Sequence, residues 1–304
     1  MLDPVSSYGE QIRDLLIIVT IIGAVVLLLV AGAITVFAVR YRGRTDSPEP
    51  PPIFGNSLLE GAWFVIPIVI VVVLFGLSVA VARDVDSPST DEPPDLIIIA
   101  HQWWWEIQYP QAGVVTANEI HIPAGSRQLV QLESIDVIHD FWVPAVGRKI
   151  DAIPGHPNRI WIEADEPGTY LGACAEFCGI QHAWMRLRVI AQPQDEFNAW
   201  LQQQGQTIPT NTALARQGSQ LFQERTCAAC HAVDGRSTSP NVGPDLANLA
   251  ARETLGAGVI ENTPENLARW LKDPQTIKPG SLMPDLNLTD DEIAALVAYL
   301  EGQP

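Results

Sequence analysis

Cys174-Ala-Glu-Phe-Cys178-Gly-Ile-Gln-His182-Ala-Trp-Met185 places two thiols, an imidazole and a thioether within twelve residues. Soft sulfur and nitrogen donors at this density favour copper or zinc over magnesium or calcium. A structural zinc site closes with four Cys or His ligands, and a thioether suits it poorly. The rest of the chain's sulfur is equally concentrated. Of four cysteines and three methionines in 304 residues, Cys227 and Cys230 form a second cluster, Met283 follows it, and only Met1 stands apart. Methionine used as a flexible gap-filler would instead be scattered among apolar segments.

The second cluster reads Cys227-Ala-Ala-Cys230-His231, the C-x-x-C-H pattern of covalent c-type haem attachment. In that pattern both thiols are consumed by thioether bonds, and His231 lies against the iron as proximal ligand. The sixth position needs another donor, and Met283 in Pro279-Gly-Ser-Leu-Met283-Pro is the candidate thioether. Met/His ligation raises the haem potential and suits electron transfer rather than oxygen binding. Four cysteines in an oxidising compartment would by default suggest disulfides, but these spacings argue for metal and haem instead.

Hydropathy divides the chain. Leu15 to Val39 is a run of 25 residues without a charge, and Trp63 to Ala82 is a second of 20. At ~1.5 Å per residue both reach across a hydrocarbon core of about 30 Å. The first run exceeds a signal-peptide core, and Asp3, Glu10 and Asp14 precede it where a signal peptide is basic, so it reads as a retained span. Arg40, Arg42 and Arg44 lie between the runs, while Asp84, Asp86, Asp91 and Glu92 follow the second. The positive-inside rule then puts both termini and everything after the second run outside. The expected location is a bacterial plasma membrane crossed twice, with lipid around the spans. The formal net charge of −17 excludes nucleic acid as a partner and fits steering of a basic redox protein.

Residues 1–94 are therefore expected to form a transmembrane helical hairpin, with spans at about 15–39 and 63–82, and an acidic, proline-rich connector. Short β-branched stretches such as Leu96-Ile-Ile-Ile99 and Gln128-Leu-Val-Gln-Leu132 follow. Turn signals at Pro123-Ala-Gly125, Pro154-Gly155 and Pro167-Gly168 separate them, as in an all-β sandwich or barrel. Residues 95–203 read as this domain, closed by a short helix from Asp195. After a polar linker at 204–212 the pattern turns helical: Leu214 to Phe222, Pro264 to Lys272, and Asp290 to Leu300 with Thr289 as N-cap. Residues 213–304 read as a small all-α domain.

A second imidazole for the first cluster is available from His139 in Ser134-Ile-Asp136-Val-Ile-His139-Asp-Phe-Trp142. That segment, Lys149-x-Asp151-Ala-Ile-Pro154-Gly155 and the Cys174–Met185 cluster together resemble subunit II of cytochrome c oxidase, from the first span to about residue 200. The resemblance implies a cupredoxin-like domain with a dinuclear copper centre. Cys174 and Cys178 would bridge the two ions, His139 and His182 would each ligate one, Met185 would be a weak axial ligand, and Glu176 would offer its backbone carbonyl. It also implies that the Glu176 side chain helps hold a magnesium or manganese ion against the catalytic subunit. Trp103, in His101-Gln-Trp103-Trp104-Trp105, would pass electrons inward, and Glu60 would mark the mouth of a proton path. Trp104 and Trp105 read as core residues.

Residues 213–304 resemble a class I cytochrome c, through Gly218 and Phe222, Gly243-Pro244-Asp-Leu246, and Tyr299. A subunit II with a fused haem domain is similar to that of caa-type oxidases. The implied work is to take electrons from an external cytochrome, cupredoxin or quinol-oxidising complex and deliver them to a haem-copper subunit I, accompanied by further membrane subunits. With two spans the chain does not itself hold the oxygen-reducing centre. The equivalent subunit of a copper-containing nitric oxide reductase, or a membrane-tethered electron carrier, would fit the same residues.

Overall fold

The computed structural model describes residues 3–43, 52, 54–85, 91–204, 211–236 and 242–302. Arg44, Asp86, much of the acidic connector and most of the linker lie outside the described residues. The chain forms two compact units, a pair of long helices and a larger unit holding the β and α domains.

Helix α1, Ser7–Arg40, and helix α2, Ser57–Val85, extend beyond the charge-free runs at both ends. Their apolar side chains face outward along nearly the whole length, as in Leu28 and Phe75, the inverse of a soluble core helix. In lipid a polar group must be satisfied internally. Thr20 and Thr35 meet that requirement by donating their hydroxyls to the Leu16 and Ala31 carbonyls. Asn56 caps α2 by accepting from the Leu58 and Leu59 amides.

The β domain is a sandwich of two five-stranded sheets. Its strands are β1 Leu96–His101, β2 Trp104–Tyr109, β3 Val114–Ala117, β4 Glu119–Pro123, β5 Gln128–Ser134, β6 His139–Trp142, β7 Ile150–Ala152, β8 Asn158–Ile162, β9 Gly168–Cys174 and β10 Arg186–Gln192. One sheet runs β3-β2-β1-β5-β8 and the other β4-β10-β9-β6-β7. Alternation drives the packing: Leu96, Ile98 and Ala100 of β1 point inward, opposite Ile120 and Ile122 of β4, and Trp105 and Phe141 fill the space between. Burying each such large side chain stabilises the fold by about 1.5–3 kcal/mol. Helix α3, Gln194–Gln203, follows β10 and stacks Trp200 on His121.

The α domain consists of α4 Ala213–Glu224, α5 Pro264–Lys272, α6 Pro274–Ile277 and α7 Asp290–Leu300, with a small ribbon of β11 Thr254–Leu255 and β12 Ile260–Glu261. Such two-residue strands are too short to leave a periodic pattern in sequence. Local chemistry sets the helix starts. Thr212, Thr263 and Asp273 cap α4, α5 and α6, and Thr289 with Glu292 forms a reciprocal capping box on α7. Helices α4 and α7 cross where Gly218 meets the Ala295 carbonyl and the Tyr299 side chain, with Phe222 edge-on to Tyr299.

A Cβ at residue 218 would run into the Ala295 carbonyl and lie 2.7 Å from the Tyr299 Cβ. Gly218→Ala is expected to separate the two helices and destabilise the α domain by about 1–3 kcal/mol. Thermal unfolding of the full chain in detergent, followed by helical circular dichroism, checks this, with the exposed Gln217→Ala as the control that leaves the midpoint in place.

Candidate functional site

Two strand pairings assemble the first cluster. Strand β9 ends at Cys174 and β10 begins one residue after Met185; Ala173 pairs with Arg186, and the Cys174 amide donates to the Met185 carbonyl at 2.9 Å. The intervening loop is thus tied at both ends and turns back through a short 3-10 turn at His182–Trp184. On the other side of β9, Phe141 of β6 pairs with Cys174, which brings His139 to the same end of the sheet.

The resulting geometry is compact. The Cys174 and Cys178 sulfurs lie 3.7 Å apart, both as free thiols. His139 Nδ1 is 3.8 Å from Cys174 Sγ, His182 Nδ1 is 3.7 Å from Cys178 Sγ, and Met185 Sδ is 3.8 Å from Cys178 Sγ. The Glu176 backbone carbonyl is 3.2 Å from Cys174 Sγ. Among the described residues, His139, Cys174 and Cys178 form the group whose ligand atoms all fall within 4.8 Å of one another. His139 and Met185 are fully buried, and the two cysteines nearly so.

Without a metal, electrostatics acts on these donors in opposite directions. The contact between the two sulfurs lowers the pKa of Cys174 and raises that of Cys178. A thiolate is the form that binds metal. Burial acts against a charged His139, yet its hydrogen bonds to Asp136 and Cys174 leave its pKa above the ordinary value. Asp136 Oδ1 accepts from His139 Nε2 at 2.8 Å, so Nδ1 is the nitrogen turned to the sulfurs. Two soft anions, two imidazoles and a thioether in a dry pocket fit copper.

Asp136 does more than the sequence discloses. Its other oxygen accepts the Gln102 amide at 2.6 Å, and Val137 donates to Oδ1 at 2.7 Å. The segment carrying Trp103 is thereby fastened to His139. Gln102 Nε2 and Trp103 Nε1 both donate to the Cys178 carbonyl, at 2.7 and 2.9 Å. Gly179 makes this approach possible: with φ at 118° it lies under the indole, where a Cβ would sit 3.0 Å from the ring. Trp105 is fully buried in the sandwich core with its edge to His139, as expected, whereas Trp104 stacks on His101 and, instead of entering that core, packs with Ala117 and Ala257 where the α domain covers the strand.

The second cluster lines an apolar cleft in the α domain. Cys227, Cys230, His231 and Met283 all line it. His231 Nδ1 is 2.8 Å from the Pro244 carbonyl, which takes its proton and leaves Nε2 to ligate. Burial lowers its pKa, keeping the imidazole neutral. Gly243 faces the ring so closely that any Cβ would collide with it. The Met283 loop is held by Gln275, whose Nε2 donates to the Ser281 and Met283 carbonyls at 2.9 Å while its Oε1 accepts the Gly280 amide at 2.8 Å. Trp270 Nε1 donates to Met283 Sδ at 3.2 Å. Two thiols, an imidazole and a thioether around one cleft fit a covalently attached haem. The cleft continues to Gln102 and Trp103, so both clusters share a wall.

Glu60 lies outside this assembly. It occupies the first turn of α2 and its Oε1 accepts the Asn56 amide at 3.3 Å. The Glu176 side chain accepts the Phe177 amide through Oε1 at 3.3 Å.

Sequence comparisons agree with this chemistry. The profile of the cytochrome c oxidase subunit II periplasmic domain matches residues 112–192, and that of cytochrome c matches residues 215–303. Cytochrome c oxidase subunit 2 of Alkalihalophilus pseudofirmus is 38% identical over 310 residues, covering 99% of this chain and 90% of that protein. The Bacillus subtilis protein of the same name is 35% identical, with the same two coverages, and that of Bacillus sp. strain PS3 is 34% identical, covering 86% of this chain and 78% of its own. The chain therefore belongs to the cytochrome c oxidase subunit II family, in the form that carries a fused cytochrome c domain.

Proposed function

We propose that this chain is the electron-accepting subunit of a membrane-bound respiratory oxidase, taking electrons from an external donor and delivering them to a catalytic subunit that reduces oxygen. The observation that carries this reading is the shared wall: Trp103 lines the cleft of the C-x-x-C-H motif and donates its indole proton to the carbonyl of Cys178. Haem c and copper, when bound, each take up and release single electrons with little rearrangement.

The protein's own residues supply the rigidity that such chemistry needs. Cys227, Cys230, His231 and Met283 would hold the haem, and Cys174, Cys178, His139, His182, Met185 and the Glu176 carbonyl would hold the copper, each group supplying one-electron chemistry there. Asp136 fixes the tautomer and ring orientation of His139, the usual task of a carboxylate behind a ligand imidazole. Trp103 is the bridge between the two groups.

Partners follow from the surface. Ile135, Ile138 and Phe177 are exposed apolar residues on the segments that carry His139 and the cysteines, and an apolar patch of this kind marks a protein contact. The catalytic subunit covers it, and there the Glu176 side chain helps hold a magnesium or manganese ion. The soluble domains face the periplasmic side, with Arg40 and Arg42 inside and lipid around α1 and α2. Glu60 then lies at the inner surface, at the mouth of a proton path in the partner. The acidic surface steers a basic donor, an effect that salt screens.

Three outcomes are expected. The isolated chain shows the spectra of haem c and mixed-valence copper yet consumes no oxygen, whereas the purified complex consumes it; turnover by the chain alone would refute the assignment. Asp136→Asn in the complex weakens copper retention by about 10–100-fold, read by titrating the bound metal with a chelator. Met283→Ala leaves the haem attached but lowers its midpoint potential, measured by redox titration, because a thioether axial ligand raises it.

A further inference from the structure

Two buried side chains, Glu119 and Lys278, make hydrogen bonds between the α and β domains and are not among the candidate metal or haem ligands. Glu119, the first residue of β4, is 2% exposed. Its carboxylate accepts from the Glu253 amide at 3.0 Å, from the Thr254 amide at 3.0 Å and from the Thr254 hydroxyl at 3.1 Å. All three donors belong to the α domain. Burial pushes the Glu119 carboxyl up from its ordinary value and the Glu253 donor pulls it back. Lys278 runs the other way: it belongs to the α domain, is 4% exposed, and donates from Nζ to the Trp103 carbonyl at 3.1 Å and the Gly256 carbonyl at 2.9 Å.

Lys278 itself lines the shared cleft, while Glu119 holds the Glu253–Thr254 segment next to it. Between them Arg186 donates its amide to the Ala257 carbonyl at 3.2 Å, and Trp104, Ala117 and Ala257 form a small dry cluster. We propose that Glu119 and Lys278 are positioning residues that lock the haem domain in one docked register over Trp103, so that the haem and copper sites work at a fixed separation rather than through a swinging tether. This rests on the electron-transfer reading above.

The physical reason is the cost of a buried group whose partners lie across an interface. Fully docked, the carboxylate and the ammonium are satisfied; fully open, water satisfies them; any slipped arrangement leaves them dry and unpaired. Such contacts select a register more than they add affinity. They also differ from exposed ion pairs in being largely unscreened by salt. The lock grips the backbone of residue 103 itself, one residue from the Gln102 amide that Asp136 holds.

The test uses the intact oxidase carrying Glu119→Ala, Glu119→Gln or the near-isosteric Lys278→Met, with haem and copper spectra as the check that both groups are loaded. Backbone amide exchange at Glu253 and Thr254 is expected to quicken by about tenfold or more in Glu119→Ala. After flash reduction of the haem by a ruthenium photoreductant, electron transfer to copper is expected to slow by about tenfold or more in Glu119→Ala and Lys278→Met. It should also become dependent on viscosity, while the unmodified oxidase remains indifferent to viscosity and ionic strength. Glu119→Gln, which retains an acceptor, should fall between. Unchanged amide exchange in Glu119→Ala, or wild-type transfer rates in both Glu119→Ala and Lys278→Met, would overturn the proposal. A wild-type complex lacking the copper spectrum would sink the functional reading alone, and the amide exchange would still decide the docking.

Discussion

Everything at the copper site depends on one closed loop. Strands β9 and β10 pair in register up to Ala173 and Arg186, so the residues between them leave and re-enter the sheet at adjacent points. That closure, together with the β6–β9 pairing, converts a linear spacing of sulfur and nitrogen into a cluster less than 4 Å from atom to neighbouring atom. The sandwich core behind it is dry and close-packed, which keeps the donors from relaxing when charge changes. The contact between the two sulfurs draws their pKa values apart, lowering Cys174 and, together with burial, raising Cys178, because two adjacent thiolates without metal would be uncompensated charges.

The second domain is organised around a different constraint, the need to wall an apolar cleft with very few residues. Gly218 and Tyr299 bring α4 and α7 into contact, and Gly243 lets the chain pass against His231. Gln275 gathers the Met283 loop with three hydrogen bonds to its backbone. Each device sets one wall. The remaining wall comes from the β domain, through Gln102 and Trp103. The cleft is therefore complete only because the two domains meet, and the indole that borders it also touches the carbonyl of a sulfur ligand.

Much of this was legible in the chain itself. The C-x-x-C-H motif and the Cys174–Met185 cluster carry their chemistry in spacing. Thr289 and Glu292 write the start of α7 into four consecutive positions, and the charge-free runs predict the two long helices, although the helices extend past them into flanking polar and charged residues. Less legible were residues that act through hydrogen bonds. Asp136 stands three residues before His139, a spacing that hints at a link, but nothing in sequence tells that its second oxygen reaches Gln102, 34 residues away. Gln275 and Lys278 look like ordinary polar surface residues. Glu119 reads as a solvated charge at a strand start, and the ribbon of β11 and β12 is too short to read at all.

Sequence alone determined which atoms are available: the soft donors, the attachment motif, the apolar spans and the acidic balance, because these are local properties of composition and spacing. Tertiary structure decided which of those atoms meet. His139 joins the cysteines only through a strand pairing across 35 residues, and Trp103 reaches the Cys178 carbonyl across 75. Glu119 finds its donors across 134. Contacts over such separations are fixed by sheet register and domain docking, where the free energy of many buried side chains selects one arrangement, and no short window of sequence contains that sum.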